Sequence, residues 1–555
     1  MRIAIAQINP TLCDFAANSQ KILEYAVKAK DRHCDLVIFP ESSLMGYHPF
    51  DLLELADLIK KQDRYIKLIA KAIPKDLGVL FGTITPSGLR RGKPYYNSAL
   101  FMEQGKEPRL FHKELLPTGD VFDEARFIES GRADKNLITF RGNKIVISIC
   151  EDIWAWPDSK GQSQYLTNPL AQISKKVKNV DLVLNLSASP YYPGKEKVRE
   201  ELVRKTAAAF KAPMVYCNMV GAQDEIIFDG QSFAVDRKGK ELARMMPFQE
   251  DLGVVDLKKM QGMKRPEKLS ESEKIRRALV LGIRDFCLKT GLKKIHFGLS
   301  GGIDSALVAC MAADALGPAN VKAFALPSEF NSPQGLEWAE KLAKNLGIGF
   351  QVIPIQSSFD SLRKIIDPAF GVKEFGLVHE NLQARLRGLL MMSFANVSGS
   401  LLLSTCNKSE SAVGYATLYG DMCGGLMPIA DLTKKQVYAL SRLYNLEQEL
   451  IPSEIIERPP TAELRPNQKD QDSLPPYDEL DAAVDRLVVN GKVGRSKADQ
   501  FLLQALLRSE FKRWQAPPIL KVSKHSFGRG RRWPVAQKAG SVLIASGTQS
   551  KQSKK

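Results

Sequence analysis

The 555-residue sequence lacks the features that mark several common classes of protein. No run of about 18 apolar residues occurs, so we expect no transmembrane helix. The N-terminal MRIAIAQINP is too short in its apolar part for a signal peptide and predicts a strand instead. None of the eight cysteines forms a Cys-x-x-Cys pair, which argues against a zinc site and a disulfide framework. This use of cysteine indicates the reducing cytoplasm.

Acidic residues are absent after Glu510, where 11 Lys and Arg residues supply most of the net charge of +17. Such a basic tail can bind RNA, an anionic small substrate or a neighbouring subunit. Because we find neither a helix-turn-helix pattern nor a basic surface interleaved with aromatic residues, we expect no nucleic-acid partner. An RNA-binding protein that acts through this tail is the non-enzymatic alternative.

The length of the chain predicts two or three domains. Strand and helix patterns alternate in both halves, which predicts an α/β fold, and a polar, basic stretch containing Pro266 separates the halves. The predicted organisation consists of domains at 1–262 and 276–540, a linker at 263–275 and a disordered basic tail at 541–555. Residues 453–476, which are rich in proline, are expected to form a long loop.

The most informative motif is SGGIDS at 300–305, between a predicted strand and a predicted helix. Two glycines allow the backbone to approach a ligand closely, and the N-terminus of a helix favours an anion. Asp304 would repel a bare phosphate, so a carboxylate here indicates Mg²⁺ bound to the phosphates of ATP. The spacing differs from that of a Walker A loop, and a glycine-rich turn without a ligand is the weaker alternative.

Three polar residues of the first half follow predicted strands, where an α/β fold presents side chains to a cleft. They are Glu41, Lys113 and Cys150. A cysteine nucleophile needs a base to remove its proton and a cation to stabilise the oxyanion, and Glu41 and Lys113 can supply these functions. A pair of Cys150 with His112 is the alternative. Taken singly, each residue could instead have an ordinary structural role.

Three segments around these residues resemble the catalytic blocks of the nitrilase superfamily: FPESSLMGY at 39–47, HK at 112–113 and ICEDIW at 149–154. The resemblance implies a glutamate base, a lysine that stabilises the oxyanion and a cysteine that cleaves a carboxamide through a thioester. In the glutaminase members this reaction releases ammonia from glutamine. The implied glutamine-binding residues are Glu151, Trp154, Ser187 and Ser189. Relatives usually carry a tyrosine shortly after the lysine, whereas residues 116–120 contain none.

The SGGxDS loop resembles that of the N-type ATP pyrophosphatases, a group that includes several families. Other segments of the second half resemble the blocks of NAD synthetases: NLQARLR at 381–387, STCNKSE at 404–410, YGDMCGG at 419–425, DLTK at 431–434, PPTAELRP at 459–466, KVS at 521–523 and FGRGRR at 527–532. Together with the first half, the resemblance to the glutamine-hydrolysing NAD⁺ synthetases covers nearly the whole chain. It implies a nitrilase-like α-β-β-α sandwich followed by a doubly wound parallel sheet of the adenine nucleotide alpha hydrolase type.

The resemblance also implies the binding residues of the second half. For ATP they are Gly298, Ser300, Gly301, Gly302, Ile303, Asp304, Ser305, Thr405 and Lys408. For deamido-NAD⁺ they are Asn381, Arg385, Glu410, Asp421, Lys434 and Lys521. Asp304 and Glu410 would hold Mg²⁺. Cys406 stands where relatives usually have glycine.

The function implied by the resemblance is ATP-dependent amidation of deamido-NAD⁺ through an acyl-adenylate, with ammonia from L-glutamine channelled internally. Its expected partners are therefore deamido-NAD⁺, ATP and L-glutamine, with Mg²⁺ as cofactor, and its products are NAD⁺, AMP, pyrophosphate and glutamate. We expect a cytoplasmic homo-oligomer that does not bind membranes. The enzymatic alternative is another glutamine- or ammonia-dependent adenylating amidotransferase with a different carboxylate acceptor.

Overall fold

The computed structural model describes residues 1–158, 160–265, 267–540 and 542–543. Between Leu269 and Ser270, within the segment predicted as a linker, the chain divides into two compact units. Apart from 542–543, the predicted basic tail at 541–555 lies outside the described residues. In the described parts of the chain we find no helix with the length and hydrophobicity required to cross a bilayer.

The first unit, Met1–Leu269, is built mainly from strands. Its strands are β1 (Arg2–Gln7), β2 (Leu36–Ile38), β3 (Gly78–Pro86), β4 (Tyr95–Met102), β5 (Arg109–His112), β6 (Thr118–Gly119), β7 (Phe122–Asp123), β8 (Leu137–Phe140), β9 (Asn143–Ile149), β10 (Leu182–Ser187), β11 (Met214–Asn218), β12 (Val220–Gln223), β13 (Ile226–Asp229), β14 (Phe233–Val235), β15 (Glu241–Arg244), β16 (Asp251–Asp256) and β17 (Gln261–Gly262). Its α-helices are α1 (Phe15–Asp31), α2 (Ala56–Ala72), α3 (Pro169–Lys176) and α4 (Lys195–Phe210).

Two sheets of this unit face each other. Their strand orders are β17-β16-β1-β2-β3-β4-β5 and β15-β14-β11-β10-β9-β8. Apolar side chains of both sheets, among them Ile38, Leu80 and Leu184, form one buried cluster between them. Helices α1 and α2 cover the outer face of the first sheet, and α3 and α4 cover that of the second. Because both faces of each sheet are covered, residues 78–85 of the central strand β3 are buried on both sides, including the polar Thr83 and Thr85.

The second unit begins at Ser270 and is richer in helices. Its strands are β18 (Ile295–Gly298), β19 (Val321–Ala325), β20 (Gly349–Val352) and β21 (Leu401–Leu402). Its α-helices are α5 (Glu271–Thr290), α6 (Ile303–Leu316), α7 (Pro333–Leu346), α8 (Gln356–Phe370), α9 (Leu377–Ser398), α10 (Lys408–Val413), α11 (Lys434–Tyr444), α12 (Ser453–Glu457), α13 (Tyr477–Val484), α14 (Lys497–Arg508) and α15 (Glu510–Arg513).

The sheet of the second unit is parallel and has the order β20-β19-β18-β21. The chain proceeds outward from β18 through β19 to β20, and then returns to place β21 on the opposite side of β18. At such a reversal the loops after neighbouring strands diverge and leave a crevice at the carboxyl ends of the strands. The SGGIDS loop follows β18, and Thr405 lies shortly after β21. The topology therefore places two predicted ATP-binding segments at one crevice.

The prediction of a long loop at 453–476 is wrong in part. This stretch contains helix α12 and a short 3-10 helix at Asp470–Asp472. The prolines flank α12 and do not interrupt it, since Pro452 precedes the helix and Pro459 and Pro460 follow it. Proline is tolerated at these positions because it disrupts a helix only in the interior.

Candidate active sites

The carboxyl ends of three strands in the first unit bring the predicted catalytic residues together. Glu41 lies shortly after β2, and Lys113 and Cys150 directly follow β5 and β9. Their exposed fractions are 0, 0 and 4%. Gly82 on β3 permits the close approach of the Glu41 backbone, because a Cβ atom at Gly82 would lie 2.6 Å from the Glu41 Cα atom.

Lys113 lies between two carboxylates. Its Nζ atom is 2.8 Å from Glu41 Oε1 and 2.7 Å from Glu124 Oε1. Asn97 donates from Nδ2 to Glu41 Oε1 at 2.8 Å, and the backbone N–H of Ala188 donates to Glu41 Oε2 at 2.8 Å. Buried charges are tolerated when they are paired and hydrogen-bonded in this way. Both oxygens of Glu41 are therefore held in a defined orientation beside the lysine.

Glu124 belongs to this cluster but was not predicted from the sequence. It begins a 3-10 helix, Glu124–Arg126, is 1% exposed and accepts a hydrogen bond from Tyr47 Oη at 2.7 Å. The one signal in the sequence is the acidic pair of Asp123 and Glu124 that follows Lys113 at short distance. Nothing in that signal distinguishes the buried carboxylate from its neighbour.

The turn that carries Cys150 is held in place by Asp152. Cys150 has a φ angle of 40°, in the left-handed region that side chains disfavour and that recurs at active sites. Asp152 Oδ1 accepts hydrogen bonds from the backbone N–H groups of Glu114 and Leu115, both at 3.0 Å, and Oδ2 accepts one from Ile149 at 2.9 Å. These N–H groups flank the lysine and the cysteine. One carboxylate thus ties the two segments together.

Burial and pairing set the protonation states of the cluster. Burial raises the pKa of the Cys150 thiol well above its usual value, and the nearby Glu41 carboxylate raises it further. Burial also raises the pKa of Glu41, which Lys113 and a hydrogen bond with Cys150 oppose. Burial disfavours the charge on Lys113, but Glu124 and Glu41 raise the pKa of Lys113 well above its usual value. The cluster therefore combines a protonated thiol, a charged lysine and a hydrogen-bonded glutamate that can accept a proton.

The four residues predicted to bind glutamine lie at the ends of β9 and β10 or directly after them. Glu151 Oε1 accepts a hydrogen bond from Tyr165 Oη at 2.7 Å, and burial raises the pKa of Glu151. Ser187 and Ser189 are buried, whereas Trp154 is partly exposed. Tyr165, on the segment after the cysteine turn, is a phenol that the sequence did not single out. The contacts of these residues with glutamine stay predictions.

A cavity of about 320 Å³ lies at the crevice of the second unit. The predicted binding residues that line it are Gly298, Ser300, Gly302, Ile303, Asp304, Ser305, Thr405, Glu410, Asp421 and Lys434. Gly301 permits the backbone conformation of the loop and its close approach to Gly335. Its φ angle is 78°, and a Cβ atom there would lie 2.2 Å from the carbonyl oxygen of Gly335. The glycine-rich loop, the segment after β21 and the start of α11 therefore face one space.

Lys434 joins the two carboxylates that were predicted to hold a metal. Its Nζ atom lies 2.6 Å from Asp304 Oδ2 and 3.0 Å from Glu410 Oε1. Asn407 donates from Nδ2 to Asp304 Oδ1 at 2.8 Å. Burial raises the pKa of Glu410, and although burial disfavours a charged Lys434, Asp304 and Glu410 raise the pKa of that lysine. The lining of the cavity thus includes one cationic side chain, Lys434, and two carboxylates, Asp304 and Glu410.

The donor set of this cluster fits Mg²⁺ that arrives with a nucleotide. Among the described residues, we find no group of three or more His, Cys, Asp or Glu side chains arranged to hold a metal ion. Mg²⁺ in nucleotide sites usually needs only one or two carboxylates, because phosphate oxygens and water supply the other ligands. Asp304 and Glu410 meet that need. Two carboxylates are too few for a metal ion that is held by protein ligands alone.

The predicted binding residues that are not among those lining this cavity are Gly301, Asn381, Arg385, Lys408 and Lys521. Asn381 Oδ1 accepts a hydrogen bond from Thr417 Oγ1 at 2.8 Å, and Arg385 donates from Nε to a main-chain carbonyl at 3.3 Å. Lys408 and Lys521 are 1 and 2% exposed. Their roles in ligand binding stay predictions.

Cys406, which stands where relatives usually have glycine, is buried and lines the cavity. Its Sγ atom lies 3.7 Å from Asp421 Oδ2, and the backbone N–H of Thr417 donates to Asp421 Oδ1 at 2.6 Å. Burial raises the pKa of the Cys406 thiol well above its usual value, and Asp421 adds to this effect. The fold accommodates the extra side chain by pairing its thiol with Asp421.

Charged residues that the sequence did not single out also line the cavity: Arg387, Arg458, Glu463 and Asp470. Arg458 pairs with Glu463, and Asp470 accepts a hydrogen bond from Tyr477 Oη at 2.8 Å. Burial lowers the pKa of Arg387 to about 10. Arg387 and Glu463 lie in segments that carried the family resemblance. The sequence of each segment does not show which of its charged residues faces the cavity.

Comparisons with known proteins agree with this division of chemistry. A carbon-nitrogen hydrolase family model matches residues 2–265, and an NAD synthase family model matches residues 275–516. A glutamine-dependent NAD(+) synthetase from Synechocystis sp. is 44% identical over 552 residues, which cover 96% of this chain and 98% of that protein. The chain belongs to the glutamine-dependent NAD(+) synthetase family. A member of this family from Thermotoga maritima is 37% identical and covers 97% of the chain and 99% of its own length.

Solved structures of glutamine-dependent NAD(+) synthetases also match nearly the whole chain. The structure from Acinetobacter baumannii, in complex with adenosine diphosphate, has a TM-score of 0.76 at 34% identity and covers 96% of this chain and 98% of that chain. The structure from Cytophaga hutchinsonii has a TM-score of 0.83 at 21% identity, covers 99% of both chains and supports the fold alone. The predicted family and fold class are therefore confirmed. The role of each individual residue stays a prediction.

Proposed function

We propose that this protein converts deamido-NAD⁺ to NAD⁺, using ATP and the amide nitrogen of L-glutamine. One observation carries this proposal: a single chain of the glutamine-dependent NAD(+) synthetase family holds a buried Cys–Glu–Lys cluster in one unit and a phosphate-loop cavity in the other. The Acinetobacter baumannii relative is described in complex with adenosine diphosphate, which supports ATP as co-substrate.

The first unit would hydrolyse glutamine. Glu41, which lies beside Cys150 in the cluster, accepts the thiol proton as sulfur attacks the side-chain amide carbon of glutamine. The charged Lys113 stabilises the negative oxygen of the tetrahedral intermediate. Glu41 then returns this proton to the amide nitrogen, and the intermediate expels ammonia and leaves a glutamyl thioester. Glu41 then activates a water molecule, which cleaves the thioester. This step releases the product glutamate and restores the Cys150 thiol.

The pairing of Lys113 with Glu124 supports this assignment of roles. Lys113 remains charged because Glu124 and Glu41 raise its pKa, and Glu124 Oε1 holds the ammonium group through an ion pair of its own. Glu41 is then free to gain and lose the proton that moves in each step. We further propose that Glu151, Trp154, Ser187 and Ser189 line the glutamine pocket, as the resemblance implies.

The second unit would activate the pyridine carboxylate of deamido-NAD⁺ as an acyl-adenylate. The carboxylate oxygen attacks the α-phosphorus of ATP and pyrophosphate leaves, after which ammonia attacks the acyl carbon and AMP leaves. The loop at 300–305 offers backbone N–H groups and the N-terminus of α6 to the phosphates. Lys434 places a positive charge beside the same loop through Asp304. When bound, Mg²⁺ held by Asp304 and Glu410 would neutralise charge on the nucleotide phosphates.

The remaining ligand assignments are proposals of the same kind. Thr405 would contact ATP, and Asp421 would lie near the pyridine end of deamido-NAD⁺. Both line the cavity. Asn381, Arg385 and Lys521 would contact deamido-NAD⁺ from the segments around it. We do not extend these proposals to Lys408, which the resemblance predicts to bind ATP, because its ammonium group is bonded to Asp431, Ser523 and His525.

Internal transfer of ammonia between the two reactions follows from its chemistry. Ammonia released into water near neutral pH becomes protonated and loses its nucleophilicity. A direct transfer preserves the neutral form that the acyl-adenylate requires. We therefore propose that ammonia passes through the protein without mixing with solvent.

We also propose a cytoplasmic homo-oligomer. Helices α8 and α9 expose large apolar side chains, of which Ile365, Phe370, Leu389 and Val397 are 62 to 86% exposed. Because α8 and α9 pack against each other, exposed apolar side chains on these two helices are candidates for contact with a second copy of the chain. We name these four residues the α8–α9 apolar surface. The use of cysteine, with free thiols throughout the described residues, supports a reducing compartment.

Pyrophosphate release tests the proposed acceptor. The purified chain is incubated with ATP, Mg²⁺ and ammonium together with deamido-NAD⁺, and in parallel with aspartate, glutamate or nicotinate. We expect release only with deamido-NAD⁺, accompanied by NAD⁺. Release with another carboxylate and none with deamido-NAD⁺ would instead favour an adenylating amidotransferase with a different acceptor.

A further inference from the structure

Lys408 begins α10 beside the ATP cavity, but its side chain is directed to the C-terminal segment of the chain. Its Nζ atom lies 2.8 Å from Asp431 Oδ1 and 2.8 Å from Ser523 Oγ, and it donates to the carbonyl oxygen of His525 at 3.0 Å. Three donors of one ammonium group are thus matched by three acceptors. Lys408 and Asp431 are each 1% exposed. Within the described residues, the hydrogen bonds of this ammonium thus go to Asp431, Ser523 and His525.

Asp431, the partner of Lys408, also binds the C-terminal segment directly. Its Oδ2 atom accepts hydrogen bonds from the backbone N–H groups of Val522 at 2.7 Å and Ser523 at 2.6 Å, and its Oδ1 atom accepts one from Ser523 Oγ at 2.8 Å. A buried carboxylate with its ammonium partner and this many donors holds the backbone at a defined position. We call Lys408, Asp431 and Ser523 the C-terminal clamp.

The clamp lies next to Lys521, which is proposed to contact deamido-NAD⁺. Lys521 Nζ donates to the carbonyl oxygens of Ser523 at 2.6 Å and Lys524 at 2.8 Å. Two hydrogen bonds of the Lys521 side chain therefore end on Ser523, which belongs to the clamp, and on its neighbour Lys524. Releasing residue 523 would release the acceptors that orient this lysine.

The backbone of Lys408 has a separate role that does not depend on its side chain. Its N–H group donates to the carbonyl oxygen of Leu432 at 2.8 Å, and the N–H group of Lys434 donates to Ser409 Oγ at 3.2 Å. These contacts join the beginning of α10 to the beginning of α11, where Lys434 faces Asp304. A change of the Lys408 side chain leaves them in place.

We propose that Lys408 is a positioning residue for the deamido-NAD⁺ side of the second site and does not bind the phosphates of ATP. It acts through Asp431 and Ser523 on the segment that carries Lys521. This inference rests on the proposed function, because it concerns the affinity for deamido-NAD⁺. Binding of the ATP phosphates at the loop 300–305 does not involve it.

Steady-state kinetics of Lys408→Met test the proposal in the full chain, with ammonium as nitrogen donor. We expect the KM for deamido-NAD⁺ to rise or kcat/KM for it to fall about 10²-fold, since small displacements of a binding group cost that much. The KM for ATP and the glutaminase activity should remain within about twofold, because the loop and the first unit are untouched. Lys435→Met, at the exposed neighbour on α11, is the matched control and should change neither parameter.

A double-mutant cycle sharpens the test. If the clamp acts through Lys521, then Lys408→Met combined with Lys521→Met should be little worse than Lys521→Met alone, because coupled residues are not additive. Where Lys408→Met fails to fold, Ser523→Ala provides the same cycle, since it removes one hydroxyl and keeps the Lys408–Asp431 pair. Circular dichroism and glutaminase activity report folding of each variant.

Two outcomes would overturn the proposal. A selective rise in the KM for ATP would mean that Lys408 acts on the nucleotide, and unchanged kinetics would mean that the clamp positions nothing that binds substrate. If wild type and Lys435→Met both fail to form NAD⁺ from deamido-NAD⁺, the proposed function fails, and that result is distinct from either outcome for the clamp.

Discussion

Lys113 and Glu124 form a buried ion pair in which Nζ lies 2.7 Å from Oε1 and the side chains are 0 and 1% exposed. The pair lies beside a second carboxylate, Glu41, that also contacts the lysine. In the proposed mechanism the two carboxylates have separate functions: Glu124 helps to keep the lysine charged, and Glu41 exchanges a proton with Cys150. Loss of the Lys113–Glu124 pair should therefore reduce the glutaminase activity of the first unit.

Glu124→Gln is expected to reduce glutaminase kcat/KM by about 10²-fold or more, since it removes a charged partner from the group that stabilises the oxyanion. Ammonium-driven NAD⁺ formation should be unaffected. Glu107→Gln, at an exposed position in the same unit, serves as the control. Measured glutamate release equal to that of wild type would show that Glu124 is not needed to hold Lys113.

The pH dependence of the glutaminase should report the buried base. Burial raises the pKa of Glu41 above its ordinary value of 4.5, and the carboxylate must be ionised to accept the thiol proton. Activity should therefore be lost as pH falls through this raised pKa, so the acid limb of kcat/KM is expected above pH 4.5. An acid limb at or below that value would contradict the raised pKa, and Glu41→Gln should abolish the limb together with the activity.

Asp304→Asn should reduce NAD⁺ formation with either nitrogen donor by about 10²-fold or more, because it removes the charge that pairs with Lys434 and that we propose holds Mg²⁺. Glutaminase activity should remain. Asp478→Asn, exposed on α13, controls for the loss of one negative charge. Persistent synthesis whose Mg²⁺ requirement matches that of wild type would remove Asp304 from the proposed metal site.

Charges placed on the α8–α9 apolar surface should weaken self-association. Leu389→Glu with Val397→Glu is expected to lower the molar mass measured by size-exclusion chromatography with light scattering, since a buried unpaired charge disfavours an interface. Leu89→Glu, at a half-exposed position in the first unit, is the control. An identical mass for all variants would place the interface elsewhere or show that the chain is a monomer.

The sequence predicted the parts of the sites that follow recognisable strands. Glu41 and Cys150 each come after an apolar run and Lys113 follows Leu110-Phe111-His112, and the sheets bring the ends of such strands together. The SGGIDS loop was equally visible, because glycine at 301 and the helix start at 303 are local features. Local chemistry of this kind can be predicted without knowledge of the tertiary structure.

Other features depend on contacts between distant residues and could not be predicted. Glu124 is marked as part of the site by its contacts with Lys113 and Tyr47, which the sequence does not show. A lysine within STCNKSE is compatible with phosphate binding, and only the folded chain shows that the ammonium of Lys408 contacts Asp431. Helix α12 was missed because its flanking prolines resemble those of a loop.

The division of labour between the two sites is tested most directly by NAD⁺ formation from deamido-NAD⁺ and ATP, measured for wild type and Cys150→Ala with glutamine and with ammonium. Without its nucleophile, the variant should lose glutamine-driven synthesis by about 10³-fold or more and keep ammonium-driven synthesis within about twofold of wild type. Loss of both activities in a folded variant, or retention of glutamine-driven synthesis, would contradict the account.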